Sequence, residues 1–334
     1  MKDYNSEVFG SYNNQVIKKV TLRNDRGFQL SVINFGAIIQ SIKMPEDFDK
    51  KELVLGFNDF ESYISEPYRE NYPYLGAVIG RHAGRIRNGE TQILGKTLTL
   101  NTNQGANHLH GGNIGFDSKV WDILDITKAS ITLGLNSPDG EENYPGNLQV
   151  EVTYALSESN EISITYTAET EKPTLVNLTQ HTYFNLNRKN QSVLEDQIKV
   201  NSNQCLALDD EVMPTGEILS TKNSAFDFSD FKNIPAEIDH SFIIKSNDQV
   251  AATLRNEDHS IQMDVYTDQP IVHIYSGYYV PTFDLKDRIS TGQNAGVCFE
   301  TQGFLDANNH SNFPSNTLKP EEEYIRHTKF SFKF

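Results

Sequence analysis

Residues 177–186 read NLTQHTYFNL, and as a β-strand this stretch would place its side chains alternately on two faces. One face would be largely apolar. The other would be a row of hydrogen-bonding groups: Asn177, Thr179, His181, Tyr183 and Asn185. Two interpretations of this polar face stay open. It is either a solvated outer face, which is common in antiparallel sheets, or the wall of a polar cleft in which the histidine exchanges a proton near neutral pH.

Short β-type runs separated by turn signals continue on both sides of this stretch, which is typical of an all-β sandwich or barrel. Residues 15–33 and 92–100 are predicted hairpins, the second turning at Gly95, and residues 59–68 a short helix or loop. The alternating end, residues 329–334, predicts a half-buried last strand. We find no long amphipathic helix, repeat or linker and predict one β domain over residues 1–334. Further strands are predicted over residues 38–42, 130–135, 148–156, 161–167, 197–200, 251–255, 260–266, 272–275 and 295–299.

The composition limits the classes of function. The formal net charge of −16 opposes binding to nucleic acid or to anionic membranes, both of which require basic patches. No run approaches the ~20 apolar residues of a membrane span, and the start of the chain shows no signal peptide. Cys205 and Cys298 are too few for a disulfide framework and are predicted to be buried thiols. We therefore expect a cytoplasmic protein.

Two glycine-rich stretches carry candidate site residues. Residues 80–89 contain Arg85 and form either a solvated basic turn or a source of forked hydrogen bonds. Residues 107–112 read NHLHGG, beginning with Asn107. On a strand, His108 and His110 would share a face and could bind a metal, with His181 or Glu300 as a further ligand. The glycine pair instead suggests a backbone that bends closely around a ligand.

Three further stretches each have a structural and a functional interpretation. Asp239 lies in residues 237–242, which are either a charged loop or part of a site. His273 and Tyr275 would share a face of one strand, which a half-wet sheet explains equally well. Glu300 ends an otherwise apolar run. Such a carboxylate is usually at a rim, but enclosure would raise its pKa toward the range that a general base requires.

In this order, these motifs resemble those of the aldose 1-epimerase (galactose mutarotase) family over nearly the whole chain. The resemblance implies a large antiparallel β-sandwich, the galactose mutarotase-like supersandwich, with its site on a concave sheet face. The matching residues are 34–37, 54–57, 80–89, 107–112, 177–186, 214–216, 239–240, 269–270, 299–302 and 318–320.

The resemblance also implies roles for individual residues. Glu300 matches the general base that takes the proton of the anomeric hydroxyl, and His181 matches the general acid that protonates the ring oxygen. His110 is similar to the second histidine on the ring-oxygen side of the sugar. Arg85 and Asp239 match positions that hydrogen-bond sugar hydroxyls, and we place His273 and Asn107 in the same sugar-binding set.

The chain departs from the family pattern at three positions. Gly84 replaces an asparagine, so one side-chain contact is missing. His273 stands where a glutamine is common, and Gln180 precedes His181 where the family usually has asparagine. These departures bear on the sugar preference more than on the reaction.

The implied chemistry is coherent in itself. A cyclic aldose opens when a base removes the C1 hydroxyl proton while an acid protonates the ring oxygen, and reclosure gives the other anomer. We expect one carboxylate and one histidine on opposite sides of a small polar pocket, with pKa values near the working pH. This reaction requires no metal, redox cofactor or phosphate loop. The expected partner is a small aldose such as galactose or glucose, bound by a monomer or a homodimer.

Three other functions stay open. A non-catalytic carbohydrate-binding protein could use the same fold, although it would not need a matched acid and base. A hexose-6-phosphate epimerase would need a strongly basic pocket, for which Arg81 and Arg87 lie near Arg85 in sequence. A metal-dependent β-barrel enzyme would use His108 and His110.

Overall fold

The computed structural model describes residues 4–48, 52–187, 192–245, 249–283 and 291–334, which form three large antiparallel sheets and several strand pairs. The four-stranded sheet consists of Tyr4–Tyr12, Gln15–Arg23, Gln29–Ile33 and Ile38–Lys43. The nine-stranded sheet has the spatial order Asp122–Ile126, Ser130–Ser137, Leu148–Leu156, Glu161–Thr170, Tyr324–Lys333, Gln262–Thr267, Ala252–Arg255, Gln197–Val200 and Lys232–Asn233. The six-stranded sheet has the order Tyr183–Phe184, Val297–Gln302, Ile271–Tyr275, Asp239–Ile243, Gln204–Leu208 and Pro214–Ser220.

Smaller elements connect the sheets. The two α-helices, Phe60–Ile64 and Glu66–Glu70, are five residues each, and no helix in the described ranges has the length and apolar character to cross a membrane. The two-stranded pairs are Val78–Ile79 with Thr179–Gln180, Arg85–Ile86 with His108–Leu109, Glu90–Ile93 with Lys96–Thr99, and Thr174–Leu175 with Thr317–Leu318. The 3₁₀ turns are Arg87–Gly89, Phe116–Ser118, Glu141–Asn143, Val193–Glu195 and Ala307–Asn309.

The main core lies between the six-stranded and nine-stranded sheets. The ring of Phe184, from the six-stranded sheet, lies 4.9 Å from the ring of Phe330, from the nine-stranded sheet. Val297 and Phe299 belong to the same buried apolar cluster. Because side chains alternate along a strand, Cys298, Glu300 and Gln302 face away from this core. The opposite face of the six-stranded sheet is therefore available for a polar site.

Most of the sequence predictions of local structure are confirmed. Both predicted hairpins form, the two short helices occupy the predicted segment at residues 59–68, and the last strand ends one residue before the chain terminus. Both cysteines are free and buried. Strand Tyr4–Tyr12 was not predicted, because five of its nine residues are asparagine, serine, glutamate or glycine and most of the strand is exposed.

The stretch at residues 177–186 is not one continuous strand, and the solvated-face interpretation is wrong, since both of its faces are buried. Strand Thr179–Gln180 pairs with Val78–Ile79, whereas Tyr183–Phe184 pairs with Val297 and Cys298 of the six-stranded sheet. The chain changes partner between these two strands, at His181. Glu300 likewise lies within its strand, which continues to Gln302, and not at the end of it.

Candidate active site

The six-stranded sheet provides the floor of a cavity. In the antiparallel register, His273 is opposite Glu300 on one side and opposite Ser241 on the other. Directly opposed residues of neighbouring strands present their side chains on the same face. The sheet therefore brings residues from three separate segments of the chain onto its free face.

The cavity has a volume of about 180 Å³. It contains six of the seven predicted site residues, together with a group of tyrosines. Its lining residues are Asn71, Tyr72, Pro73, Tyr74, Gly84, Arg85, Gln104, His110, His181, Tyr183, Asp239, His273, Tyr275, Tyr279, Val280, Glu300, Gln302 and Leu305.

Glu300 and His181 are neighbours in the buried part of this cavity. Glu300 Oε1 lies 3.6 Å from His181 Nε2, and both side chains are at most 5% exposed. The expectation that they stand on opposite sides of the pocket is wrong. Glu300 Oε2 and Gln302 Oε1 are buried without a hydrogen-bond partner in the described part of the chain. Because an unpartnered buried acceptor costs free energy, these atoms mark places where a ligand hydroxyl would bind.

His110 enters the cavity from the turn after strand His108–Leu109, with a left-handed φ of 52°. The backbone N–H of Gly84 donates to His110 Nδ1 at 3.2 Å, so the neutral ring carries its hydrogen on Nε2. Gly84 itself has φ 76°, and a Cβ there would collide with the side chain of Leu305. Glycine at this position suits both the positive φ and the close approach of Leu305.

Burial sets the charge of the two catalytic-site histidines. It lowers the pKa of His110 well below the ordinary value, and the neighbouring His181 and Arg85 act in the same direction. Burial also lowers the pKa of His181, although the carboxylate of Glu300 opposes that shift. Both imidazoles are therefore mainly neutral at neutral pH. Burial raises the pKa of the nearby Cys298 thiol well above its usual value, so the sulfur keeps its hydrogen.

Buried His273 and half-buried Asp239 form a hydrogen-bonded pair at another part of the floor. His273 Nε2 lies 2.7 Å from Asp239 Oδ1, and His273 Nδ1 lies 2.9 Å from the hydroxyl of Ser241. Burial alone would lower the pKa of His273, but the hydrogen bond and charge of Asp239 outweigh it and raise the pKa. The same contact outweighs burial for Asp239 and lowers its pKa. Ser241 is wholly buried, so this serine–histidine–aspartate row does not present an accessible nucleophile.

Arg85 is the only arginine or lysine among the cavity-lining residues in the described ranges, and its Nε donates to Gln104 Oε1 at 2.6 Å. The two arginines near it in sequence lie elsewhere. Arg81 is buried and donates to Ser137 and to backbone carbonyls, and Arg87 forms an ion pair with Asp209. The strongly basic pocket that a sugar phosphate requires is therefore not formed.

Asn107 and His108 do not reach the cavity lining of the described chain. Asn107 accepts from the backbone N–H of Asn88 and donates to Glu211, so it stabilises the turn that carries His110. His108 has both ring nitrogens occupied, by the carbonyl of Asn101 and the hydroxyl of Tyr144. The proposed metal pair of His108 and His110 is therefore not formed.

Another donor set does come together. One nitrogen each of His110 and His181 and a carboxylate oxygen of Glu300 all lie within 4.8 Å of one another. Two imidazoles and a carboxylate are donors that suit zinc. The same three groups suit acid–base chemistry, so chelation has to be tested directly.

The contribution of Tyr72 and Tyr74 to the cavity lining was not predicted from the sequence. The ring of Tyr74 lies 4.8 Å from the ring of His110 and 5.7 Å from that of His181. Tyr72 donates to the buried carboxylate of Asp117 at 2.7 Å, and burial raises the pKa of that carboxyl to about 6. No spacing or motif in residues 71–74 signalled this role. Tyr275, in contrast, shares a strand face with His273 and was detectable.

Comparison with known proteins identifies the family of the chain. The family model described as aldose 1-epimerase matches residues 18–331. The aldose 1-epimerase of Escherichia coli (strain K12) is 32% identical over 336 residues, covering 95% of this chain and 96% of that protein. The galactose mutarotase of Mus musculus is 34% identical over 329 residues, covering 95% and 94%.

Solved structures have the same fold. The crystal structure of galactose 1-epimerase from Lactobacillus acidophilus NCFM superposes with a TM-score of 0.86 at 28% identity, covering 99% of this chain and 98% of that one. An aldose epimerase homologue from C. elegans gives a TM-score of 0.87 at 24% identity, covering 94% and 98%. The second comparison supports the predicted sandwich fold alone.

Proposed function

The chain belongs to the aldose 1-epimerase family, and we propose that it interconverts the α and β anomers of an aldohexose such as galactose or glucose. It is thus an isomerase that acts on carbohydrate. The observation that carries the proposed mechanism is the buried contact between Glu300 Oε1 and His181 Nε2, at 3.6 Å.

In the first half of the reaction, Glu300 accepts the proton of the C1 hydroxyl while His181, in its doubly protonated imidazolium form, gives its Nε2 proton to the ring oxygen. The bond between C1 and the ring oxygen breaks, and an open-chain aldehyde forms. Both oxygens are bonded to C1, so a base and an acid that act on them must be neighbours. This explains why the two side chains are adjacent and not on opposite walls of the cavity.

Rotation of the aldehyde exposes its other face, and reclosure then reverses both proton transfers. Glu300 returns its proton to the carbonyl oxygen, and His181 recovers a proton from the hydroxyl that closes the ring. Each group serves once as acid and once as base, as microscopic reversibility requires. The donated and recovered protons balance, so this chain's own residues complete the cycle.

The remaining site residues hold the sugar. His110 directs its Nε2–H to the ring-oxygen side, close to His181. One carboxylate oxygen of Asp239 is hydrogen-bonded to His273, and the other would accept a hydrogen bond from a sugar hydroxyl. Arg85 supplies forked donors at the rim of the cavity. Asn107 does not contact the sugar and acts indirectly, by stabilising the turn that carries His110.

The observations do not favour the alternatives over an epimerase. A carbohydrate-binding protein would not need a carboxylate and an imidazole adjacent at the buried end of its site. A hexose-6-phosphate epimerase would need more cations than Arg85 among the described lining residues. The free, buried thiols of Cys205 and Cys298 fit a reducing compartment, and on this basis we propose a cytoplasmic location.

Polarimetry of freshly dissolved α-galactose and α-glucose tests this function. We expect the purified chain to accelerate the approach to the equilibrium rotation without changing the final rotation. A rotation that relaxes at the spontaneous rate with both sugars, although calorimetry detects their binding, would instead support the carbohydrate-binding alternative. Size-exclusion chromatography with light scattering distinguishes the monomer from the homodimer, the two states that the sequence leaves open.

A further inference from the structure

Cys298 contacts His181 through the ring nitrogen that does not face Glu300. Its Sγ is 3.5 Å from His181 Nδ1, and its side chain is fully buried. Cys298 and Glu300 project from the same face of strand Val297–Gln302, two residues apart. One strand therefore supplies a partner for each side of the same imidazole.

We propose that Cys298 is a positioning residue for the reaction: its thiol pairs with Nδ1 of His181 and thereby keeps the Nε2–H directed at the ring oxygen of the sugar. The proposal rests on the proposed function, since it assigns a partner to the proposed general acid.

The contact of Nε2 with Glu300 favours one tautomer of His181. In a neutral imidazole one nitrogen carries the hydrogen and the other accepts. If Nδ1 carried it, the lone pair of Nε2 would face the carboxylate oxygen of Glu300, 3.6 Å away, which is electrostatically unfavourable. With the hydrogen on Nε2, the thiol S–H donates to Nδ1.

A thiol can serve both protonation states of the ring. It donates to Nδ1 when His181 is neutral in the resting site. When His181 is doubly protonated, Nδ1 also carries a hydrogen, and it keeps that hydrogen after the Nε2 proton has gone to the sugar. In both of these states the thiol can rotate and accept a weak hydrogen bond from Nδ1. His110 is held in the same tautomer by a backbone N–H, which can only donate. Cys298 thus gives the acid a partner that follows the proton cycle.

Substitutions at Cys298 separate positioning from packing, with Cys205 as the matched control. Cys205 is also a buried thiol of the six-stranded sheet, but it packs in the apolar core. We expect Cys298→Ala to lower kcat about fivefold to tenfold, the effect of one hydrogen bond, with little change in KM. Cys298→Ser should recover most of kcat because its hydroxyl both donates and accepts. Cys205→Ala should leave kcat and KM unchanged.

A purely structural role for Cys298 predicts another pattern, in which serine is no better than alanine and the loss of kcat follows the loss of thermal stability. That pattern, or a Cys298→Ala variant with normal kcat, would overturn the proposal.

Nitrogen-15 NMR of the histidine-labelled chain tests the tautomer without any activity measurement, and so remains informative if the variants fold poorly or the sugar specificity differs. The signals of His181 are assigned by their loss in His181→Asn. We expect a hydrogen on Nε2 and a bare Nδ1 at neutral pH in the wild type, and a weaker preference in Cys298→Ala, where only the contact with Glu300 still favours it. A wild-type resonance pattern with the hydrogen on Nδ1 would refute the proposal, whatever the polarimetry shows.

Discussion

His273 Nε2 lies 2.7 Å from Asp239 Oδ1 on the floor of the cavity. The contact raises the pKa of His273 and lowers the pKa of Asp239, against the effect of burial on each. The contact therefore favours the ionised form of both groups. This charge-assisted hydrogen bond fixes the carboxylate that we expect to bind a sugar hydroxyl.

Replacing His273 tests this positioning role. His273→Gln should keep KM within about threefold, because its amide can still donate to Asp239 with roughly one ordinary hydrogen bond. His273→Leu removes the donor, and we expect KM to rise about tenfold or more, as for a lost bond to a charged group. The measurement is anomerisation rate against sugar concentration, with thermal unfolding as the control for folding. Equal KM values in both variants and the wild type would contradict the assignment.

The pH dependence tests the charge states of the acid–base pair. The proposed active form has Glu300 ionised and His181 protonated, so it is depleted as the pH rises through the pKa of His181. Burial lowers that pKa. We therefore expect the alkaline limb of kcat/KM to have its midpoint below ~6.5, the value of a free histidine. The limbs are macroscopic and belong to the coupled pair.

His181→Asn is the matching variant. It keeps a hydrogen-bonding side chain but removes the acid, and we expect the alkaline limb to disappear together with about 10²- to 10⁴-fold of the rate. The measurement is initial anomerisation rate against pH, with the spontaneous rate subtracted at each point. If the variant kept both the rate and the limb, His181 would only position the sugar, and His110 would become the better candidate for the acid.

The fold was largely predictable because local signals agreed with the tertiary structure. Strand Leu148–Leu156 alternates buried and less buried positions along its whole length, as an antiparallel strand with one covered face should. Residues 177–186 have equally clear alternation but form two short strands with different partners. Periodicity reports which side chains share a face, and it does not report where the chain leaves one sheet for another.

The site was predictable to the extent that its residues lie in strands. Glu300 and His273 face the cavity because their strands alternate and pair in register. Asn107, in contrast, has the right residue type in the right motif, but its side chain is hydrogen-bonded to Asn88 and Glu211 outside the cavity. The contribution of Tyr74 depends on how the segment after the helices lies over the two histidines, which is set by tertiary packing.

Chelation distinguishes hydrogen bonding from metal binding at His110, His181 and Glu300. We expect a chelator to leave the wild-type rate unchanged, because the proposed proton transfers use the side chains themselves. His110→Ala should retain weak but measurable activity, since it removes a sugar contact and leaves the acid and base in place. Activity that is lost in chelator and restored by a divalent ion would overturn the metal-free mechanism.

Gly84 and Gly95 form a matched pair that tests the steric requirement for glycine at residue 84. Both have positive φ values, of 76° and 77°, but a Cβ would collide with Leu305 only at Gly84 and would meet open space at Gly95. Gly95→Ala should therefore cost about 1–2 kcal/mol of unfolding free energy from backbone strain alone. Gly84→Ala should cost more and also lower activity, because it displaces the N–H that orients His110. Chemical denaturation and polarimetry measure both effects. Equal stability losses with unchanged activity would contradict this account.

The most direct test of the acid–base account is the anomerisation rate of Glu300→Gln, measured by polarimetry beside the affinity of the same variant for the sugar by calorimetry. The amide keeps the shape of the side chain but cannot accept a proton at neutral pH. We expect the rate to fall about 10²- to 10⁴-fold, the usual contribution of a positioned general base, with sugar affinity and thermal stability nearly unchanged. A variant that retained near-normal mutarotation would show that another group is the base and would contradict the account.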